Sequence, residues 1–338
     1  IELISQLKEE KNDNFNSELK ELFTTTSNTN LKSGVIDFFE SQGNKDLVED
    51  SFELLKDYDS LDSKIVLKLV RYLEEYQTQK ITDFFFELIE DPRNEVASAA
   101  LRAIGISEND EYSKELLTLY ENNALREDLK APLITALGNL KNDVAFDFLN
   151  RIVSDDDESK SLRWRACQAL GKIGGEKAYK SVSTLLNEED PILRSYAVNS
   201  LGYFEQDGVV DILIDALRDS MWRVRVQAAE ALGRKKDKKA LEILKYKAQY
   251  DPDIRNVRLA AVKAIGGIDG EEGYSFLREL YSSSETPLGL RTASIKILTE
   301  ENLNSSLDAI NKVINEEWEK DKSYILDYTC KMLSTKKS

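Results

Sequence analysis

Apolar residues recur along the chain at helical spacing, and the helical pattern itself recurs. The phrase Val224-Arg225-x-x-Ala228-Ala229-x-Ala231-Leu232-Gly233 returns as Val257-Arg258-x-x-Ala261-x-x-Ala264-Ile265-Gly266 and as Leu162-Arg163-x-x-Ala166-x-x-Ala169-Leu170-Gly171. With the closing glycine as a marker, the series runs Gly105, Gly138, Gly171, Gly202, Gly233, Gly266, at spacings of 33, 33, 31, 31 and 33 residues. Thr299 falls at the next step of 33, and a weaker pattern places Glu74 and Glu40 earlier in the series. A fixed period of this length is the mark of stacked repeats, each too small to bury its own apolar side.

Each repeat reads as two helices. An apolar run precedes the marked helix, as in Val209 to Leu217 or Tyr179 to Leu186. Proline often falls in the turn between them, at Pro92, Pro191, Pro252 and Pro287, where a first helical turn tolerates it. Glycine is favoured just past a helix end, so the marker reads as the stop of the second helix. Pro132 aligns inside a second helix, which is therefore expected to start late or kink. The fold class that follows is all-α, an α-α superhelix of about nine to ten helical hairpins. A single array is expected over 1–338, with divergent acidic repeats in 1–90, regular repeats in 91–298 and capping helices in 299–338.

The Val-Arg…Ala-Ala…Ala-Leu-Gly phrase resembles the HEAT-like repeats of the phycobilisome-lyase type, strongly over about Asp91 to Leu298 and weakly at both ends. The resemblance implies an α-solenoid of antiparallel helix pairs whose second helices line a concave surface. It does not imply lyase activity, because function resides in sites grafted onto a fold.

A helical wheel divides the second helix into faces. Nine residues before the marker stand Val96, Leu129, Leu162, Leu193, Val224, Val257 and Leu290, and one before it Ile104, Leu137, Leu170, Leu201, Leu232, Ile265 and Leu298. These columns are the candidate core, with Ala166, Ala197, Ala228 and Ala261 allowing close helix approach. Cys167 shares a column with Leu101, Ile134 and Val198, which makes it a core residue and not a nucleophile. The column eight before the marker is Lys130, Arg163, Arg194, Arg225, Arg258 and Arg291. On a surface it would form a phosphate-binding row, but the wheel turns it inward. It is therefore read as a structural ladder bonded to turn carbonyls or to acids such as Asp190, Asp219 and Asp251 of adjacent repeats, as the family resemblance also implies.

The opposite arc carries Trp164, Arg165, Gln168, Tyr196, Asn199, Arg223, Gln227 and Lys263. Trp, Tyr and Arg are enriched at binding hot spots, so these residues form the candidate partner-binding face. The competing reading folds Trp164 and Tyr196 over the next repeat as packing. Trp222 and the run Arg234-Lys235-Lys236-Asp237-Lys238-Lys239 form a solubilising edge or a dock for an acidic partner.

Charge and composition narrow the function. Formal net charge is −16, which argues against phosphate backbones and anionic lipid as partners of the whole molecule. It is unevenly spread: residues 1–120 carry a net −13 and residues 222–265 a net +7, a polarity that suits head-to-tail self-association. The chain has no His, and Cys167 and Cys330 lack metal or redox spacing, so no metal, cofactor or catalytic residue is assigned. No run spans a membrane, and the start at Ile1 suggests that an upstream segment was removed, leaving a cytoplasmic or exported soluble chain. The reading is a non-catalytic scaffold or adaptor that holds a protein or peptide segment in its groove. Its alternatives are a nucleic-acid-binding HEAT-like protein and a chromophore lyase or isomerase-like subunit.

Overall fold

The computed structural model describes residues 2–9, 14–107, 109–122, 125–268, 270–301, 303–315 and 322–335, with the side chains of 301, 303–305 and 335 excepted; Ile1 lies outside these residues. Among the described residues there is no strand. After a leading helix, Glu2–Glu9, helices alternate in pairs. The first helices are Asn16–Thr25, Val48–Leu55, Gln79–Leu88, Tyr112–Glu121, Phe146–Ser154, Gly175–Thr184, Val209–Ala216, Leu241–Tyr250, Glu271–Ser282 and Leu303–Asn315. Their partners are Thr29–Ser41, Ser63–Leu73, Asn94–Gly105, Lys130–Leu140, Lys160–Ile173, Pro191–Leu201, Trp222–Lys235, Leu259–Gly267, Leu288–Glu301 and Lys322–Thr335. The protein is an all-α chain of HEAT-like hairpins, and the period found in the sequence is the period of the helix pairs.

Most second helices begin eleven residues before their marker: Thr29 for Glu40, Ser63 for Glu74, Asn94 for Gly105, Lys160 for Gly171, Pro191 for Gly202, Trp222 for Gly233 and Leu288 for Thr299. Side chains at the turns fix several of these starts by accepting the otherwise unpaired first N–H groups. Asn28 accepts from Asn30 and Leu31, Asp62 from Lys64, and Asp190 from Ile192 with Pro191 at the first helical position. The helix holding Pro132 starts late, at Lys130, after a short 3-10 turn Glu127–Leu129. That puts the proline in the first turn, where its missing N–H has no helical acceptor to lose.

The chain forms two compact units, residues 1–169 and 170–338, and their boundary falls within the helix Lys160–Ile173. In the first unit, Ser63–Leu73, Asn94–Gly105 and Lys130–Leu140 pack in sequence; in the second, Pro191–Leu201, Trp222–Lys235, Leu259–Gly267 and Leu288–Glu301 do so. Every residue of the two apolar columns is buried, as are the four small residues between them and Cys167. Each core therefore lies between paired helices and between successive second helices, and each repeat completes its neighbour's.

The marker glycine stands at the helix end in two repeats, Gly105 as the last residue of its helix and Gly202 as the cap just past one, but elsewhere its role differs from the stop read in the sequence. Gly138, Gly171 and Gly233 lie inside their helices, and the left-handed residues that end those segments stand three positions later, at Lys141, Gly174 and Lys236. The glycine is needed for close approach instead. A Cβ on Gly138 would sit 2.6 Å from Ala169 Cα, and one on Gly233 would sit 2.9 Å from Ala264 Cα. A residue two positions before the next marker faces each of these glycines, through its backbone at Gly105, Gly138, Gly171 and Gly233 and through its side chain at Gly202 and Gly266, so one column of absent side chains makes room for the next helix.

Candidate interaction surface

The inward cations set how the second helices stand. Arg194 donates Nε and Nη2 to Asp219 at 2.8 and 3.0 Å and Nη1 to the carbonyls of Glu188 and Glu189. Arg225 repeats the arrangement one repeat later: two bonds of 3.0 Å to Asp251, and Nη1 to the carbonyls of Asp219 and Ser220. Arg163 Nε reaches Val153 O at 2.9 Å, Arg258 Nε reaches Asp251 O at 2.6 Å, and Arg291 Nε reaches Tyr281 O at 2.9 Å. Lys130 pairs within its own turn with Glu127 at 2.6 Å, as its late helix start places it. Asp190 caps its helix by accepting from Ile192 N at 2.9 Å. Upstream, Asp91 holds the corresponding place, bound by Arg93 and, through its carbonyl, by Arg126.

Burial works against the charge on Asp219 and Asp251, yet both carboxyls are held below the usual carboxylate range. Arg194 and the Met221 N–H hold the first; Arg225, the Asp253 N–H and Lys247 hold the second. Each aspartate thus serves two purposes: it orders the turn that starts its own second helix and anchors the arginine of the repeat before.

None of the residues expected on the outward face is buried. In the first unit, Arg165 and Gln168 are exposed and Trp164 is half-buried. Arg165 donates to Thr135 Oγ1 at 3.4 Å and lines a cleft of about 450 Å³ with Glu95, Ser98, Arg102, Thr135 and Asn139. In the second unit, Arg223 and Lys263 are exposed, while Tyr196, Asn199 and Gln227 are half-buried. The structure brings Asn199 and Gln227 together: Asn199 Nδ2 donates to Gln227 Oε1 at 2.5 Å, and Gln227 Nε2 donates to Glu230 at 3.0 Å. Arg223 lies over the Trp222 ring at 5.3 Å.

Two further residues belong to this surface: Tyr203, which the sequence reading did not single out, and Arg234, which it placed in the basic edge. Arg234 donates to the Asn199 carbonyl at 3.2 Å and lies over the exposed Tyr203 ring at 4.9 Å. Both stand one position after their marker. Arg234 lies on its helix, which runs through Gly233, so continuing the wheel past that marker places it on this face; Tyr203 stands in the turn after the helix cap Gly202, beyond the reach of a wheel. Among the described residues, no group of three or more His, Cys, Asp or Glu could hold a metal ion. No helix among them is long and apolar enough to cross a membrane.

The family model described as Spirochaete HEAT repeat protein matches residues 1–338. The chain is 30% identical over 135 residues to the deoxyhypusine hydroxylase of Bos taurus, a match covering 38% of this chain and 44% of that protein. With the Homo sapiens protein of the same name it shares 30% identity over 109 residues, 32% of this chain and 35% of the relative. It thus spans less than half the length of these curated relatives. A solved structure, which reports that Kap95p binding induces the switch loops of RanGDP to adopt the GTP-bound conformation, matches with a TM-score of 0.52 at 12% identity, covering 94% of this chain and 52% of that one. At that identity the match concerns the fold alone. The hydroxylase relatives correct the expectation that the chain is not an enzyme. That expectation rested on the missing histidine and the buried Cys167, and two side-chain types cannot decide against catalysis when relatives of the chain are named as enzymes.

Proposed function

Because the chain belongs to the spirochaete HEAT repeat proteins, we propose that it is an interaction scaffold or adaptor whose second helices take up a peptide or protein segment. The observation that carries this reading is the ordered row Asn199–Gln227–Glu230 beside Arg234, with Arg223 and Arg234 each braced on an aromatic ring. Such groups are partly fixed before a partner arrives, so less side-chain entropy is lost on binding. Aromatic and arginine side chains are also those that dominate binding energy at interfaces. Affinity capture from the source cell tests the reading. Trp164→Ala with Arg223→Ala is expected to lose the partners of the unaltered chain while helix content and melting hold; capture of the same partners by both would end it. Steep salt dependence of binding to generic duplex would instead favour nucleic acid.

The named relatives favour a second reading, hydroxylation of deoxyhypusine. Its test is incubation with a deoxyhypusine-bearing protein and a search for one added oxygen by mass spectrometry. No gain over a chain-free control incubated in air would remove it.

A further inference from the structure

A separate cleft, of about 420 Å³, opens between two first helices of the second unit, Leu241–Tyr250 and Glu271–Ser282. Tyr246 and Tyr250 stand one turn apart on the first of these, 55% and 62% exposed, with ring centroids 5.2 Å apart and planes tilted by 47°. The rings leave much of their surface to solvent, although Phe276 beside them is buried. Carboxylates from both helices share the cleft with them. Lys245, largely buried, joins Glu242 at 2.8 Å and Glu272 at 2.7 Å and so ties the two helices together. Glu279, also lining the cleft, is exposed and makes no ion pair among the described residues. Three carboxylates against one ammonium leave the cleft negative, and two aromatic faces are open to it.

The geometry points to this cleft as a binding site for a basic segment of a partner protein, one Arg or Lys side chain lying over Tyr246 and Tyr250 and pairing with Glu279. An aromatic face attracts a cation through its negative quadrupole, and a guanidinium both stacks on the ring and donates to a carboxylate. Charge complementarity chooses this occupant: an acidic segment would meet three carboxylates, and an apolar one would strand them unsolvated. The site lies on first helices and does not depend on the second-helix face discussed above.

The test is fluorescence anisotropy of a fluorescein-labelled peptide alternating Arg and Gly, titrated with the full chain at low and moderate salt. Saturable binding is expected for the unaltered chain, with an Asp-Gly peptide inert. Tyr246→Leu with Tyr250→Leu keeps bulk and charge and is expected to weaken binding about tenfold; Glu279→Gln weakens it about threefold. Glu115→Gln, an exposed acid in the first unit, is the control for general attraction to an acidic chain and should change nothing. Circular dichroism melting confirms that each variant folds. Absence of saturable binding, equal binding by the double Leu variant, or an equal loss in Glu115→Gln would each overturn the site. Loss in Arg223→Ala would overturn it too, by placing the peptide on the second-helix face.

Discussion

The repeats marked by glutamate and those marked by glycine join their neighbours in two different ways. At Glu40 and Glu74 the marker carries a long side chain that reaches the next second helix: Glu40 pairs with Arg71, and Glu74 with Arg102 at 2.5 Å. At Gly138 or Gly233 there is no side chain, and the next helix rests where a Cβ would be. One join is an ion pair with exposed arginines and the other is a backbone contact that leaves no room. The period survives the exchange because it is set by helix length and by the apolar columns, which both kinds of repeat keep. What changes is how much each join resists substitution.

The strongest contrast lies between the cations of the two regions. Arg225 is buried against Asp251, whose carboxylate is out of solvent, whereas Arg71 is more than half exposed against Glu40. Arg225→Ala leaves a buried carboxylate with much of its compensation gone and should cost about 3–5 kcal/mol. Arg71→Ala should cost less than about 1 kcal/mol. Urea unfolding of both variants measures the difference; similar costs would mean that the buried and exposed pairs do the same work.

Next in size is the glycine itself. Helix propensity alone predicts that Gly233→Ala stabilises the chain by about 1 kcal/mol. The approach of Ala264 predicts the opposite sign, a loss of about 1–3 kcal/mol as the neighbouring helix is pushed away. The sign of the change in melting temperature decides between them, and a gain would remove the close-approach account of the whole glycine series.

Acid should act through the aspartates. Asp219 and Asp251 have folded-state pKa values depressed by their arginines against the opposing effect of burial. Their contribution to stability is therefore complete above the ordinary carboxylate value of about 3.9 and disappears as pH falls through the depressed folded values. Thermal melting should hold near neutral pH and decline below about pH 4. Asp251→Asn, already weakened, should show a shallower decline; an identical slope would assign acid sensitivity to other carboxylates.

The sequence carried the fold because a repeat prints its own alignment. Six glycines fixed the register, and the register then placed Leu162, Val224 and the other apolar residues in the core without further information. The arginine column was legible for the same reason, since Arg225 falls among apolar neighbours on the wheel. The candidate surface was less so. Arg234 was read as part of a basic edge because a helix stop was assigned to Gly233, where the absent side chain serves a neighbour and the helix runs on; Tyr203 gave no periodic signal, because it stands in the turn after the helix cap Gly202. Tyr246 and Tyr250 gave no signal, because two tyrosines four apart on a first helix look the same whether they pack or stand open. Which side of that helix is left uncovered depends on the neighbouring repeat.

The smallest effect is expected at Glu74, and its sign is informative. Burial raises this carboxyl above its ordinary range, and the hydrogen bond from Arg102 only partly offsets that. A group raised in the folded state contributes stability that is present below its unfolded pKa and lost as pH rises through the folded one. At neutral pH the Glu74 charge is therefore a cost, held in place by the ion pair. Glu74→Gln keeps an acceptor for Arg102 and removes the buried charge, so stability at pH 7 should rise by less than about 1 kcal/mol. Below about pH 4 both chains carry a neutral group there and the advantage should vanish. A clear fall in melting temperature at pH 7 would show instead that attraction to Arg102 outweighs burial. The glutamate joins would then be as strongly committed to their marker residue as the glycine joins are to theirs.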